Sequence, residues 1–95
     1  MEEIFVISVK SLIDDGSGTI CEKWAYATSV YAYGVWEPCW RFSEKDCCTF
    51  TSVEKAEEWF NYDSIKRELL KDTHNFDMST LCIKKVVFES VKSLV

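Results

Sequence analysis

The sequence offers few residues suited to catalysis or metal binding. It contains one histidine, His74, so a Cys–His nucleophile pair has to use that ring. His74 lies in a polar stretch with Asp72 and Asp77, where a solvated imidazole is typical. Asp14 and Asp15 are adjacent carboxylates, but the glycines after them indicate a turn rather than a calcium loop. We therefore predict no enzymatic activity, no metal and no cofactor.

Long apolar runs and an excess of basic charge are also missing. No segment approaches the roughly 20 apolar residues of a membrane span, and the start lacks the basic region of a signal peptide. The net charge of −5 opposes non-specific binding to nucleic acid and attachment to an anionic membrane. The sequence therefore predicts a cytoplasmic protein that does not attach to membranes and does not bind nucleic acid non-specifically.

Cysteine is frequent, but not at the spacing of a disulfide framework or a zinc site. An odd count with an adjacent pair does not fit a secreted disulfide scaffold, and zinc sites use closely spaced ligand pairs. Metal, redox, intermolecular disulfide and catalytic roles remain as alternatives. We expect reduced thiols that act as small apolar side chains at Cys21, Cys39, Cys47, Cys48 and Cys82.

The first third of the chain predicts a β-hairpin. Ile4–Leu12 is rich in β-branched residues, and 14–18 contains an Asp-Gly turn signal. The segment returning from Thr19 is apolar on both faces, which predicts a central strand or a strand whose second face contacts something else. A helix is the alternative, with its stripe at Ile20, Trp24, Ala27 and Tyr31. Gly18 and the Thr, Val and Tyr content favour the strand.

Gly34 and Pro38 are expected to break this strand or to mark a bulge. The two segments that follow, 39–42 and 47–50, are then predicted to pair as a short hairpin. Near the end of the chain, 80–91 is apolar on both sides, which predicts a last strand in a central position of the sheet.

A helical region is predicted between Ser52 and Lys71. Thr51 with Glu54 matches a capping box, and the apolar phase slips after Phe60, which predicts two short helices or one kinked helix. The order β-β-β-α-β therefore predicts a single α+β domain over residues 1–95. Its antiparallel sheet has about four strands, with the helical region packed on one face.

Aromatic side chains are concentrated in one uncharged segment. Between residues 25 and 36 there is no charged side chain. One interpretation packs Trp24, Tyr26, Trp36 and Trp40 under the helix. However, Tyr31 and Tyr33 lie on the opposite strand face from Trp24, and one short helical region cannot cover both faces. Because aromatic residues dominate interface hot spots, we predict partner-binding residues at Trp24, Tyr26, Tyr31, Tyr33 and Trp36.

An acidic face is predicted on the first helix. Glu54, Glu57 and Glu58 lie there, either as solvated side chains with favourable placement toward the helix dipole or as a contact to a basic partner.

The layout resembles that of small accessory proteins of bacteriophages and mobile elements, including anti-CRISPR proteins and other inhibitors of host defence. The segments that carry the resemblance are Phe-Thr-Ser-Val-Glu-Lys-Ala-Glu-Glu-Trp-Phe and Leu-Cys-Ile-Lys-Lys-Val-Val-Phe. The resemblance implies a protein that occupies a surface of a host protein and has no active site. Two further expectations are a homodimer through Cys21, Tyr31, Tyr33 and Val35, and, as an alternative function, binding of a small ligand or single-stranded nucleic acid by stacking.

Overall fold

The chain folds into an antiparallel sheet and two short helices, as the sequence predicts. The computed structural model describes residues 3–14, 16–18, 20–71 and 73–86. The sheet has the strand order β3-β2-β1-β4. The elements are β1 (Ile4–Asp14), β2 (Ile20–Ala32), β3 (Val35–Arg41), a 3₁₀ turn (Glu44–Asp46), α1 (Val53–Phe60), α2 (Asp63–Leu69) and β4 (Phe76–Val86). The α+β class and the pair of short helices are thus confirmed.

The core lies between the two helices and one face of the sheet. Ile7 of β1 and Ala27 of β2 are buried there against Ala56 of α1 and Leu69 of α2. Alternation along the strands places Val9 and Ala25, which are paired and fully buried, on the same face. The small alanines of β2 let the helices approach this part of the sheet closely.

Trp40 is the tryptophan of the sheet that packs under the helices. It contacts the core, stacks edge-on against Phe76 and donates a hydrogen bond from Nε1 to the carbonyl of Leu69 at 2.9 Å. That carbonyl lies at the end of α2, where intrahelical donors run out. The interpretation that also packs Trp24, Tyr26 and Trp36 under the helices is wrong, because alternation puts Trp24 and Tyr26 on the other face and Trp36 is exposed.

Helix α1 begins one residue later than predicted. The side chain of Ser52, not Thr51, is the N-cap, and its hydroxyl accepts the backbone N–H of Lys55 at 3.2 Å. Glu54 is therefore the second residue after the cap and does not form the predicted capping box. Tyr62 is the N-cap of α2 and makes no side-chain cap hydrogen bond.

Pro38 lies inside β3 and does not end a strand. The turn between β2 and β3 has two residues, so Ala32 and Val35 form a hydrogen-bonded pair and pairs alternate from there. Pro38 opposite Ser29 then occupies a non-hydrogen-bonded pair, in which its nitrogen points away from β2. A proline is tolerated there because β3 is an edge strand and no ladder bond is lost.

The last strand is an edge strand, not the central strand that its two-sided apolarity predicts. Among the described strands, β4 pairs with β1 alone, and it begins at Phe76, four residues before the predicted start. From Ser8 to Lys10, β1 advances by two residues, while the paired residue of β4 changes by five, from Cys82 to Asp77. The extra residues of β4 form a bulge. Thr80 fills it, since its hydroxyl accepts the Lys10 N–H at 2.8 Å. The predicted part from Val87 to Val91 lies outside the described residues.

A short segment after β3 fills a gap between β1 and β2. The ladder between these strands ends at Ser8↔Tyr26. Beyond that point, Phe50 exchanges two backbone hydrogen bonds with Phe5 (2.8 and 2.9 Å), and the Cys48 N–H donates to the Ala27 carbonyl at 3.1 Å. The predicted hairpin of 39–42 with 47–50 is therefore wrong, because the second segment inserts between two earlier strands.

Candidate functional site

The β2–β3 hairpin extends beyond the area that the helices cover. We call its last six residues, Tyr31–Trp36, the hairpin tip. Within it, Tyr31 is 63% exposed, Tyr33 102%, Val35 53% and Trp36 68%. These are four of the ten exposed large apolar side chains of the described residues, although the tip is only six residues long. Exposed apolar side chains concentrated in this way mark interaction sites.

The turn at the end of the tip holds Tyr33 in an uncommon backbone conformation. Tyr33 has φ 52° and Gly34 has φ 82°, the pattern of a type I′ turn. Positive φ at both positions favours Asn-Gly, and a non-glycine residue in this region costs about 1 kcal/mol or more. The sequence therefore places a bulky, fully exposed ring where it carries a conformational cost, which is typical of functional positions.

Tyr31 and Trp36 form a cross-strand pair on one face of the tip. They are directly opposite in the register, and their ring centroids are 5.3 Å apart with an interplanar angle of 57°. Aromatic pairs in such positions stabilise a hairpin by roughly 0.2–1 kcal/mol. The contact also fixes the two rings relative to each other, so that a partner meets a preformed surface.

Trp24 does not belong to this surface. It lies on the face of the sheet away from the helices, where it is half-buried. The ammonium of Lys84 lies over its ring, and that of Lys10 is 5.5 Å from the ring centroid. Lys10 also forms an ion pair with Glu22 at 3.3 Å. This Trp24 ring therefore covers the sheet together with lysine side chains.

The acidic residues of α1 are also separate from the hairpin tip. Glu54, Glu57 and Glu58 are exposed, and α1 packs on β1 whereas α2 packs on β3. Since β1 and β3 lie on opposite sides of β2, the acidic face and the hairpin tip do not form one surface. Of the predicted partner-binding residues, the structure brings together Tyr31, Tyr33 and Trp36.

None of the five cysteines forms a disulfide, and all are half-buried. The Cys48 thiol contacts the Thr28 hydroxyl at 3.9 Å. Among the described residues, no three side chains of His, Cys, Asp or Glu form a cluster that could hold a metal ion.

A cavity on the face away from the helices was not predicted from the sequence. Its volume is about 400 Å³, and its lining is mostly apolar: Ile4, Val6, Tyr26, Lys45, Cys47, Thr49 and Val86. The sequence does carry a signal for it, since Ile4 and Val6 make the outer face of β1 apolar at the start of the strand. The sequence does not show that residues 45–49 pass over this face and enclose the cavity. Tyr26, predicted as a partner-binding residue, lies here.

Comparison with known proteins gives no relative from which a role could be transferred. No protein family, no curated protein and no solved structure matches the chain. The helices among the described residues are too short or too polar to cross a membrane.

Proposed function

We propose that this protein acts by binding another protein through the hairpin tip, as an inhibitor or adaptor. The observation that carries the proposal is the exposure of Tyr31, Tyr33, Val35 and Trp36 on one projecting turn. Tyrosine and tryptophan combine apolar area with a hydrogen-bonding group, and such residues dominate binding energy when a partner buries them.

The chemistry of the tip favours a protein partner over nucleic acid. Residues 31–36 contain no charged side chain, whereas single-stranded nucleic acids are held by cations beside the stacking rings. Tyr31 and Trp36 are also packed on each other, which leaves less of each ring free to stack on a base. The complementary surface is therefore an apolar pocket or groove with hydrogen-bonding groups for two phenol hydroxyls.

The resemblance of the layout to accessory proteins of phages and mobile elements supports a bacterial host protein as the partner. Under this proposal the chain blocks a host surface and contributes no chemistry of its own. A second copy of the chain is the competing partner. Its addition at the β3 edge is disfavoured, because Pro38 removes one of the outward backbone donors that an intermolecular ladder requires.

The proposal is tested by immobilising the wild type and two variants and exposing each to a bacterial lysate. The Tyr31→Ser/Trp36→Ser double variant removes the paired rings, and Tyr62→Ser is the matched control because Tyr62 is 67% exposed but lies between the helices. We expect one stoichiometric protein to be retained by the wild type and by Tyr62→Ser and lost from the double variant. Circular dichroism confirms that all three are folded.

Two results would contradict the proposal. The first is a partner that all three forms retain equally, and the second is the absence of any stoichiometric partner. Sedimentation equilibrium distinguishes a homodimer from binding to another protein. If the wild type has a mass above that of the 11.1 kDa chain and the double variant has the mass of one chain, the hairpin tip serves self-association instead.

A further inference from the structure

The walls of the cavity on the outer face are held in place by backbone and side-chain hydrogen bonds. Residues 45–49 form one wall, and the sheet forms the other. The buried Thr28 hydroxyl donates to the Asp46 carbonyl at 2.6 Å, and the Cys48 N–H donates to Ala27 at 3.1 Å. These bonds lie on either side of Cys47. The cavity is therefore preformed, as small-molecule sites usually are.

The lining separates into an apolar interior and a basic mouth. Val6, at 2% exposure, forms the floor, with Ile4, Val86 and the ring of Tyr26 around it. Lys45 is exposed and is the charged side chain among the lining residues, so its ammonium can reach a ligand at the entrance. Thr49, also exposed, adds a hydroxyl at the entrance.

The volume sets the size of the ligand. A dry cavity of about 150 Å³ takes one benzene molecule, so about 400 Å³ accommodates an alkyl chain or a two-ring molecule. A nucleotide or a polyanion does not fit this chemistry, because one ammonium cannot neutralise several phosphates and the floor offers aliphatic side chains.

We propose that this cavity binds a small amphipathic anion, a monocarboxylate with an apolar chain or ring system. The apolar part lies against Val6 and Val86, and the carboxylate lies at the entrance beside Lys45. This site is distinct from the hairpin tip, because its lining residues do not include Tyr31–Trp36.

The test uses decanoate as the probe and amide chemical shifts of the full chain as the readout. Decanoate should produce saturable shifts centred on Val6 and Thr49, while decylammonium, with the same chain and the opposite charge, should bind several-fold more weakly. Lys45→Gln should weaken decanoate binding about three- to five-fold, the size expected for one exposed charge pair. The control Lys55→Gln, an exposed lysine on α1, should leave the affinity unchanged.

A second variant tests the location. Thr49→Trp places a large ring at the entrance and should abolish the shifts at Val6. If that variant does not fold, the comparison of Lys45→Gln with Lys55→Gln decides the question alone. Shifts that do not saturate, that centre on Tyr31 and Trp36, or that are equally strong in both lysine variants would overturn the proposal.

Discussion

The same face of β2 meets two different surroundings along its length. At Ala25 and Ala27 the helices cover it and the side chains are small and buried, whereas at Tyr31 only the Trp36 ring of the described chain packs on it and the side chain is large and exposed. A sequence that only filled its core would put the large rings under the helices. In β2 the small side chains lie under the helices and the large ring lies outside them. The rings of the hairpin tip therefore do not serve core packing, whereas the small alanines allow the helices to pack closely on the sheet.

The largest expected difference between the two regions is in stability. Leu69→Ala removes a fully buried side chain from the helix-covered part and should lower the free energy of unfolding by about 2–5 kcal/mol. Trp36→Ala, at the tip, should lower it by less than about 1 kcal/mol, because it loses one cross-strand pair. Urea denaturation followed by circular dichroism measures both. Equal losses would show that Trp36 is part of the core.

A smaller effect is expected at the boundary between the Cys48–Phe50 segment and α1. Ser52→Ala removes the hydroxyl that caps α1 and should cost about 1 kcal/mol. Thr51→Ala is the matched control, since Thr51 is the cap that the sequence predicts and is exposed here. Its expected change is within about 0.5 kcal/mol. If Thr51→Ala is instead the more damaging change, the helix starts where the sequence predicted.

The smallest change is a gain in stability at the hairpin tip. Tyr33→Asn places a residue that tolerates positive φ in the type I′ turn and should raise stability by a few tenths to about 1 kcal/mol. Retention of the protein partner should fall at the same time, because the exposed ring is lost. Tyr33→Ala is the control, since alanine also removes the ring but is not favoured at the positive φ of this position, so it should lose binding without the gain in stability. A thermal melt with a binding assay measures both effects; increased binding by Tyr33→Asn would contradict the role of this ring.

The parts of the fold that local pattern determines were predicted, and the parts that long-range pairing determines were not. The strand character of β2 follows from its Thr, Val and Tyr content, and the break between the helices follows from the phase slip after Phe60. Apolar residues on both faces of a strand, however, do not determine whether it lies at the centre or at the edge of a sheet. β4 is an edge strand, and β1 is central with a second face that forms the cavity.

The candidate site was predicted in composition but not in arrangement. The uncharged aromatic segment indicated where an interaction surface would lie, and Tyr31, Tyr33 and Trp36 do lie together. Trp24 and Tyr26 could not be assigned because the strand face that receives the helices depends on α1, α2 and β3, which come later in the chain. Alternation along β2 predicts two faces, and the face of Trp24 and Tyr26 was expected to lie under the helices. The helices instead cover the face of Ala25 and Ala27.

The pairing of β1 with β4 has a consequence for synthesis of the chain on the ribosome. Ile4 and Val86 are partners, 82 positions apart, and the Phe5–Phe50 bridge closes the other side of β1. During translation, one edge of the apolar start of β1 therefore lacks its hydrogen-bonding partner until β4 has emerged from the ribosome. A nascent chain that stops before β4 presents an unpaired strand that includes Val6 and Ile7, which is the state in which chaperones recognise a protein and in which copies associate wrongly. The pairing of β1 is therefore completed only after β4 has been synthesised.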